Sequence, residues 1–218
     1  MAPDNSTLSA NMKVLKKDLG FDTVEAREVC ARTAELCPED LVLDVGTGSG
    51  WMAIVLARAG MRVVSFDVDA GAIERARDRA RAEGSAVFDR ITFLRADAGN
   101  VPVGEARLAA AFSFDSMHHM PDCAMALREM RRVCRPGGTV VVADLNERGL
   151  AAVRAVVGMN GEEHYENACR LDLIGRLMGR CCGHAERHDL DFVTVFVVRK
   201  AGQAMGPLCG PRRMRERA

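Results

Sequence analysis

Leu41-Val42-Leu43-Asp44-Val45-Gly46-Thr47-Gly48-Ser49-Gly50 is the stretch on which the reading of this chain turns. Four of its first five residues are apolar and two are β-branched, which suits a short buried strand. Gly46, Gly48 and Gly50 then alternate before an apolar, helix-like run from Trp51 to Ala59. Glycines so placed let the backbone turn sharply and let a ligand approach main-chain atoms with no Cβ in the way. Gly60 stands where a helix C-cap is expected. The stretch reads as strand, glycine-rich loop and helix, an arrangement that holds a nucleotide-like ligand.

The same alternation continues on both sides. Upstream, a helix is expected at Met12 to Leu19. A second, capped by Asp22 or Thr23, should turn Ala26, Val29, Cys30, Thr33 and Cys37 to one side before Pro38. Downstream, strands are expected at Arg62–Phe66, Ile91–Arg95, Leu108–Phe114 and Thr139–Ala143. Helices should lie between them, from Ala70 to Glu83 and from Pro121 or Asp122 onward. Arg135-Pro136-Gly137-Gly138 should break that last helix before the fifth strand. Further helices are expected near Glu147–Val157 and Glu163–Met178, and closing strands at Arg187–Leu190 and Phe192–Arg199. Most strands are continuous apolar runs, as in a parallel sheet buried on both faces by helices.

The chain has 218 residues, 48% hydrophobic and 28% charged, with thirty basic residues balancing thirty acidic ones. That length suits one α/β domain. The zero formal charge argues against nucleic acid as a partner, because such binding leaves a basic footprint. No apolar run reaches the roughly 20 residues that span a bilayer, and the first residues lack a signal pattern. The expectation is a cytoplasmic protein, monomer or homodimer, whose eight cysteines are mostly reduced and buried thiols.

The loop discriminates between nucleotides. A dinucleotide fingerprint wants a small residue where Trp51 stands. Asp44 ahead of the turn would repel a pyrophosphate and attract an ammonium group. Asp67, about 20 residues beyond the loop, is placed like the acid that accepts ribose hydroxyls. Asp97, at the end of the third strand, could accept from an adenine amine. Three acids at adjacent strand ends thus suit a nucleoside that carries an amino acid.

On these residues the chain resembles the class I S-adenosylmethionine-dependent methyltransferases. LVLDVGTGSG is similar to that family's first motif, VSFDVD (64–69) to its second and FLRADA (93–98) to its third. FDSMHHMPD (114–122) resembles the HHxPD stretch of small-molecule methyltransferases, RPGG (135–138) the turn before strand five, and FVTVFVVRK (192–200) the antiparallel last strand. The resemblance implies a Rossmann-like doubly wound α/β sheet of seven strands, mostly parallel, ordered 3-2-1-4-5-7-6 with strand 7 antiparallel. It implies a single domain over 1–201, with N-terminal helices over 1–38, a candidate substrate cover over 145–183 and a tail at 202–218. It implies S-adenosylmethionine as cofactor, S-adenosylhomocysteine as product, a small-molecule acceptor and no metal. The cofactor would meet Asp44, Gly46, Thr47, Gly48, Gly50, Asp67, Val68, Asp97, Ala98 and Phe114.

A sulfonium-bound methyl is already electrophilic, so alignment and water exclusion do most of the catalytic work. A base is needed only if the acceptor begins protonated. Asp115 and His118 are the candidates, with a structural role for the histidine pair as the plainer alternative. Asn160–Tyr165 is a candidate acceptor-side segment, and Lys16 or Lys17 could reach the cofactor carboxylate. Cys181, Cys182, His184 and His188 invite a metal, but adjacent cysteines are poor zinc geometry. A non-catalytic cofactor-binding module and an NAD-dependent oxidoreductase are the rival readings.

Overall fold

The computed structural model describes residues 20, 23–158, 167, 169–182 and 184–202, without the side chains of Cys181 and Cys182. The helix expected at 12–19, Lys16 and Lys17, the run 160–165 and the chain from 203 onward lie outside the described residues.

Helix α1 (Val24–Thr33) precedes β1 (Leu41–Val45), α2 (Trp51–Arg58), β2 (Arg62–Asp67) and α3 (Ala70–Ala82). A short α4 (Ser85–Phe88), β3 (Ile91–Arg95), β4 (Leu108–Phe114) and a 3₁₀ turn at Met117–His119 follow. The chain continues through α5 (Cys123–Val133), β5 (Cys134–Leu145), α6 (Glu147–Gly158), α7 (Leu171–Cys182), β6 (Glu186–Asp189) and β7 (Val193–Arg199).

The seven strands form one sheet in the order β3-β2-β1-β4-β5-β7-β6. β1 pairs in parallel with both β2 and β4, and β7 runs antiparallel to β5 and β6. The expected strand order and hand of pairing are those observed.

Neighbouring side chains on a strand point to opposite faces, and here both faces are covered. Val42 joins one apolar cluster with Ala26, Ile54, Ala76 and Phe112. Leu43, next along the strand, joins the other with Phe66, Leu127, Met130 and Ile174. That two-sided burial is why the strands read as unbroken apolar runs. α1, α2, α3 and α6 cover the first face, and α5 and α7 the second. At β1 the winding reverses, so the connections that leave the carboxyl ends of β1 and β4 turn to opposite faces and leave a crevice between them.

Four expectations need correction. The helix does end before Arg135–Gly138, but β5 begins at Cys134 rather than Thr139 and takes these residues in as an irregularity, its register with β4 jumping from Leu108↔Cys134 to Ala110↔Thr139. The ladder continues through Lys200: Gly137 N–H donates to Lys200 O at 2.9 Å and Lys200 N–H to Gly138 O at 2.8 Å. A Cβ on Gly138 would stand 2.8 Å from the Ala109 carbonyl, so glycine is what lets the strands approach. The helix expected from Glu163 begins, among described residues, at Leu171. Cys37 lies beyond the end of α1, whose face is completed by Ala34. Lastly, Cys123 and Cys169 are joined as a disulfide rather than standing as free thiols. They lie 46 residues apart in sequence with Cα atoms at 5.9 Å, a proximity that only the packing of α5 against the approach to α7 creates. Cys30 and Cys37 are free, and burial pushes the Cys30 thiol up to about 12.

Candidate functional site

The carboxyl ends of β3, β2, β1 and β4 line one side of a cavity of about 730 Å³. Across adjacent strands it meets Asp97 and Ala98, then Asp67 and Val68, then Gly46, Thr47 and Gly48, then Phe114 and Asp115. Strands about 4.8 Å apart turn that sequence of groups into a straight row. The residues read from three separate motifs therefore share one wall.

Asp67 ends β2 half-buried. Its Oδ2 accepts from the Gly48 N–H at 2.9 Å, and its Oδ1 from the Asp69 N–H at 3.0 Å. These bonds orient the carboxylate towards the cavity while leaving each oxygen a lone pair. Asp69 caps α3 instead, accepting from Gly71 and Ala72 N–H groups that hold its carboxyl below the usual range. Asp97 Oδ1 accepts from the Gly99 N–H at 2.8 Å, which fixes the turn after β3. Gly46 and Thr47 both donate backbone N–H bonds to Phe66 O, at 3.0 and 2.9 Å. A Cβ on Gly48 would meet no protein atom within 4 Å, so the loop leaves the room a bound molecule needs.

Two of the loop residues expected at the ligand are placed elsewhere. Asp44 is 1% exposed and off the cavity wall. Its Oδ2 lies 2.8 Å from Ser65 Oγ, which lies 2.6 Å from Thr47 Oγ1, so the carboxylate props the loop from beneath. Burial, tempered by those hydroxyls, pushes the Asp44 carboxyl up to about 6. Gly50 is also off the wall. It caps α2 at φ 86°, and an added Cβ would stand 2.9 Å from Ala76 Cβ on α3. The close-packing role of the last small residue in a dinucleotide loop is thus carried one position earlier. That frees position 51 for Trp51, which reaches the cavity with the Arg79 guanidinium 4.6 Å from its ring.

Beyond β4, Asp115 takes the left-handed conformation at φ 55°, sparsely used by residues other than glycine, and half-buries its side chain on the wall. Its N–H donates to Ala143 O at 2.8 Å, tying the turn to β5. His118 is 4% exposed and does not line the cavity. Asp144, at the end of β5, holds it twice: His118 Nδ1 lies 2.5 Å from Oδ1, and the His118 N–H donates to Oδ2 at 3.1 Å. The histidine on the wall is His119, its ring 3.9 Å from that of His118. Asp115, His118 and Asp144 each bring a ligand-type atom within 4.8 Å of the others. Burial first and Asp144 second push the Asp115 carboxyl up to about 6, against the pull of His118 and Arg27.

Asp144 spends both oxygens on His118, and its Oδ1 also accepts from the Leu145 N–H at 2.8 Å. His118 and Asp144 thus bond to one another, while the Asp115 side chain stands beside the pair. His184 and His188 join no metal-type group among the described residues. Several wall residues escaped the sequence reading, among them Arg27, Arg75 and Met125. Arg27, on α1, gave no signal beyond being an arginine beside an apolar face, and Met125, 44% exposed on α5, stands outside that helix's apolar repeat.

Residues 42–138 match the family model described as a methyltransferase domain. The chain is 44% identical over 109 residues to methyltransferase GfsG of Streptomyces halstedii, a match covering 50% of this chain and 38% of that protein. It is 38% identical over 106 residues to the 27-O-demethylrifamycin SV methyltransferase of Amycolatopsis mediterranei (strain S699), covering 48% and 38%. Matched segments therefore span well under half the length of these two relatives. Among solved structures it is similar to the [4+2]-cyclase SpnF, at a TM-score of 0.64 and 19% identity, covering 82% of this chain and 81% of that one. No helix among the described residues is long and apolar enough to cross a membrane. The motif order, the sheet order and these relatives agree in likening residues 42–138 to a methyltransferase domain.

Proposed function

We propose that the cavity binds S-adenosylmethionine and that the protein transfers its methyl group to a small-molecule acceptor. One observation carries this reading: the row of Asp97, Asp67 and the Gly46–Gly48 loop along a single wall, in the order of an adenine, a ribose and an amino-acid chain. The open space at Gly48 and the inward Asp67 carboxylate fit such a cofactor. Asp67 would accept from the ribose hydroxyls and Asp97 from the adenine amine. When bound, the cofactor supplies a methyl group activated by its sulfonium.

The chain's own residues then align the acceptor and take its proton. Asp115 stands on the wall, and its carboxyl, held near pH 6, can receive a proton from a hydroxyl or phenol in the neutral range. His118, oriented by Asp144, lies within reach behind it. In the neutral imidazole, donation from Nδ1 to Asp144 leaves the basic lone pair on Nε2. The predominantly apolar wall near Phe114, Met120 and Met125 excludes water from the transfer. The two relatives' descriptions as methyltransferases, one acting on a rifamycin, support a small-molecule acceptor.

The test has two stages. S-adenosylhomocysteine should raise the melting temperature, and labelled S-adenosylmethionine should then pass label to a hydroxyl-bearing acceptor. No thermal shift with the intact protein sinks the reading. Likeness to a cyclase favours a second reading, in which the cofactor is bound but its methyl is kept. Tight S-adenosylhomocysteine binding without label transfer to any of a broad acceptor panel would select it.

A further inference from the structure

We propose that Asn167 is a positioning residue for the histidine turn after β4, latched in place by the Cys123–Cys169 disulfide, so that a thiol reductant loosens the acceptor side of the cavity. The proposal rests on the methyl-transfer reading above and adds to it a residue that no motif contains. The turn at Met117–His119 gives three neighbours three surroundings. Met117 is buried in the core, His118 is held by Asp144, and His119 lines the cavity. The turn's own bonds run from His119 N–H to Ser116 O at 3.1 Å and from Met120 N–H to Met117 O at 3.0 Å. The next bond of that three-residue pattern would come from Pro121 to His118 O, and a proline has no N–H to give. Asn167 supplies the donor: its backbone N–H meets His118 O at 2.6 Å, and its Nδ2 meets His119 O at 2.9 Å. Both histidine carbonyls are thus fixed by a residue 48 positions beyond His119.

The disulfide holds Asn167 to this task. Cys169 is bonded to Cys123, whose N–H also donates to Cys169 Sγ at 3.2 Å, and both residues are buried. Cys123 opens α5 directly after Asp122. The disulfide, the short chain from Asn167 to Cys169 and the bonds to the histidine carbonyls therefore close a small ring. That ring includes Met120, Pro121 and Asp122, all three on the cavity wall. A dithiol opens it by exchange: one thiolate attacks a cysteine sulfur to give a mixed disulfide, and the second thiol displaces that cysteine. Two electrons and two protons pass to Cys123 and Cys169, which leave as thiols, and the reductant leaves as its own disulfide. The turn is then held to Asn167 by hydrogen bonds alone, which water can replace.

The experiment reads the turn directly and then through turnover. The proton between His118 Nδ1 and Asp144 is buried, and proton NMR of the oxidised protein should show it as a low-field resonance sheltered from exchange. Dithiothreitol should broaden or remove that resonance in the unaltered protein. It should also lower kcat about 10-fold, the cost of a modest misplacement of the reacting groups, with S-adenosylhomocysteine affinity unchanged. Cys123→Ser combined with Cys169→Ser should match the reduced protein and no longer respond to dithiothreitol. Asn167→Asp, equal in size but facing His119 O with an acceptor, should do more harm than Asn167→Ala, whereas a residue that only fills space would rank them the other way. Asn167→Gln, which keeps the donor, should recover part of the loss. The reductant arm needs no variant to fold. A resonance and a kcat that ignore dithiothreitol overturn the latch, and an aspartate variant no worse than the alanine one overturns the positioning role. A resonance that responds as expected in a protein that transfers no methyl group supports the strap and sinks the methyl-transfer reading instead.

Discussion

The two ends of the cavity are built by different means. At the β1–β3 end, each contributing residue lies within a few positions of a strand terminus and is fixed by backbone hydrogen bonds, as Asp67 is by Gly48 and Asp69. At the β4–β5 end, groups distant in sequence must converge: Arg27 from α1, Asp115 after β4 and Asp144 near the end of β5. A disulfide near the turn after β4 joins Cys123, at the start of α5, to Cys169 before α7. Asn167 adds two bonds to that turn, its N–H donating to His118 O at 2.6 Å and its Nδ2 to His119 O at 2.9 Å. A local device suits a cofactor site, because the ligand's shape is fixed. A convergent one lets the acceptor side change without disturbing it.

The contrast can be broken in four places. The largest effect is expected from Asp67→Ala, which removes the proposed ribose acceptor and unties Gly48. S-adenosylhomocysteine binding should fall by more than about 100-fold, since two charge-assisted bonds are lost, and calorimetry reads it. An affinity within a few-fold of normal would mean that the β2 end does not hold the ribose.

Next is Cys169→Ser. Opening a closed loop of 46 residues should lower stability by about 4 kcal/mol on the chain-entropy account. Urea unfolding with and without a reductant measures it, and the variant should no longer respond to the reductant. If the two ends are independent, S-adenosylhomocysteine affinity should survive the change while turnover falls.

Gly50→Ala tests the packing role of that residue. A left-handed alanine whose Cβ meets Ala76 at 2.9 Å should cost about 2–3 kcal/mol. Thermal unfolding would show it, and Gly48→Ala, with no atom in the way, should cost less in stability and more in binding.

The last effect is in pH. Asp44 and Asp115 are both raised to about 6 in the folded protein, above their unfolded value near 3.9. Between roughly pH 4 and 6 the folded state therefore binds more protons than the unfolded one. Stability contributed by these groups should fall as pH rises through that window, by at most about 1.4 kcal/mol per pH unit for each, and stay level above it. Asp44→Asn should flatten one group's share of the slope in denaturant titrations. An unchanged slope would mean that Asp44 ionises normally beneath the loop.

Much of the fold was legible because burial on both faces leaves a one-dimensional trace: runs such as Leu108–Phe114 are apolar but for Ser113. The wall at the β2 and β3 ends was legible for the same local reason, with Asp67 closing β2 and Asp97 two residues beyond β3. Asp44 was misplaced because an acid before a glycine loop looks alike whether it faces the ligand or, as here, a buried Ser65 hydroxyl. Between the paired histidines nothing in the sequence says which turns inward; the Asp144 carboxylate, 26 residues away, decides it.

By itself, then, the sequence determined the strand–loop–helix grammar, the sheet order through its resemblance, and the acids at the β2 and β3 ends. These depend on residues near one another in the chain, whose periodicity and turn chemistry act locally. Tertiary structure alone decided that Asp44 and Gly50 support the loop from behind, that Cys123 meets Cys169, and that Arg27 reaches the cavity. Each of those outcomes joins residues from different elements, and their distance is set only when both faces of the sheet are packed.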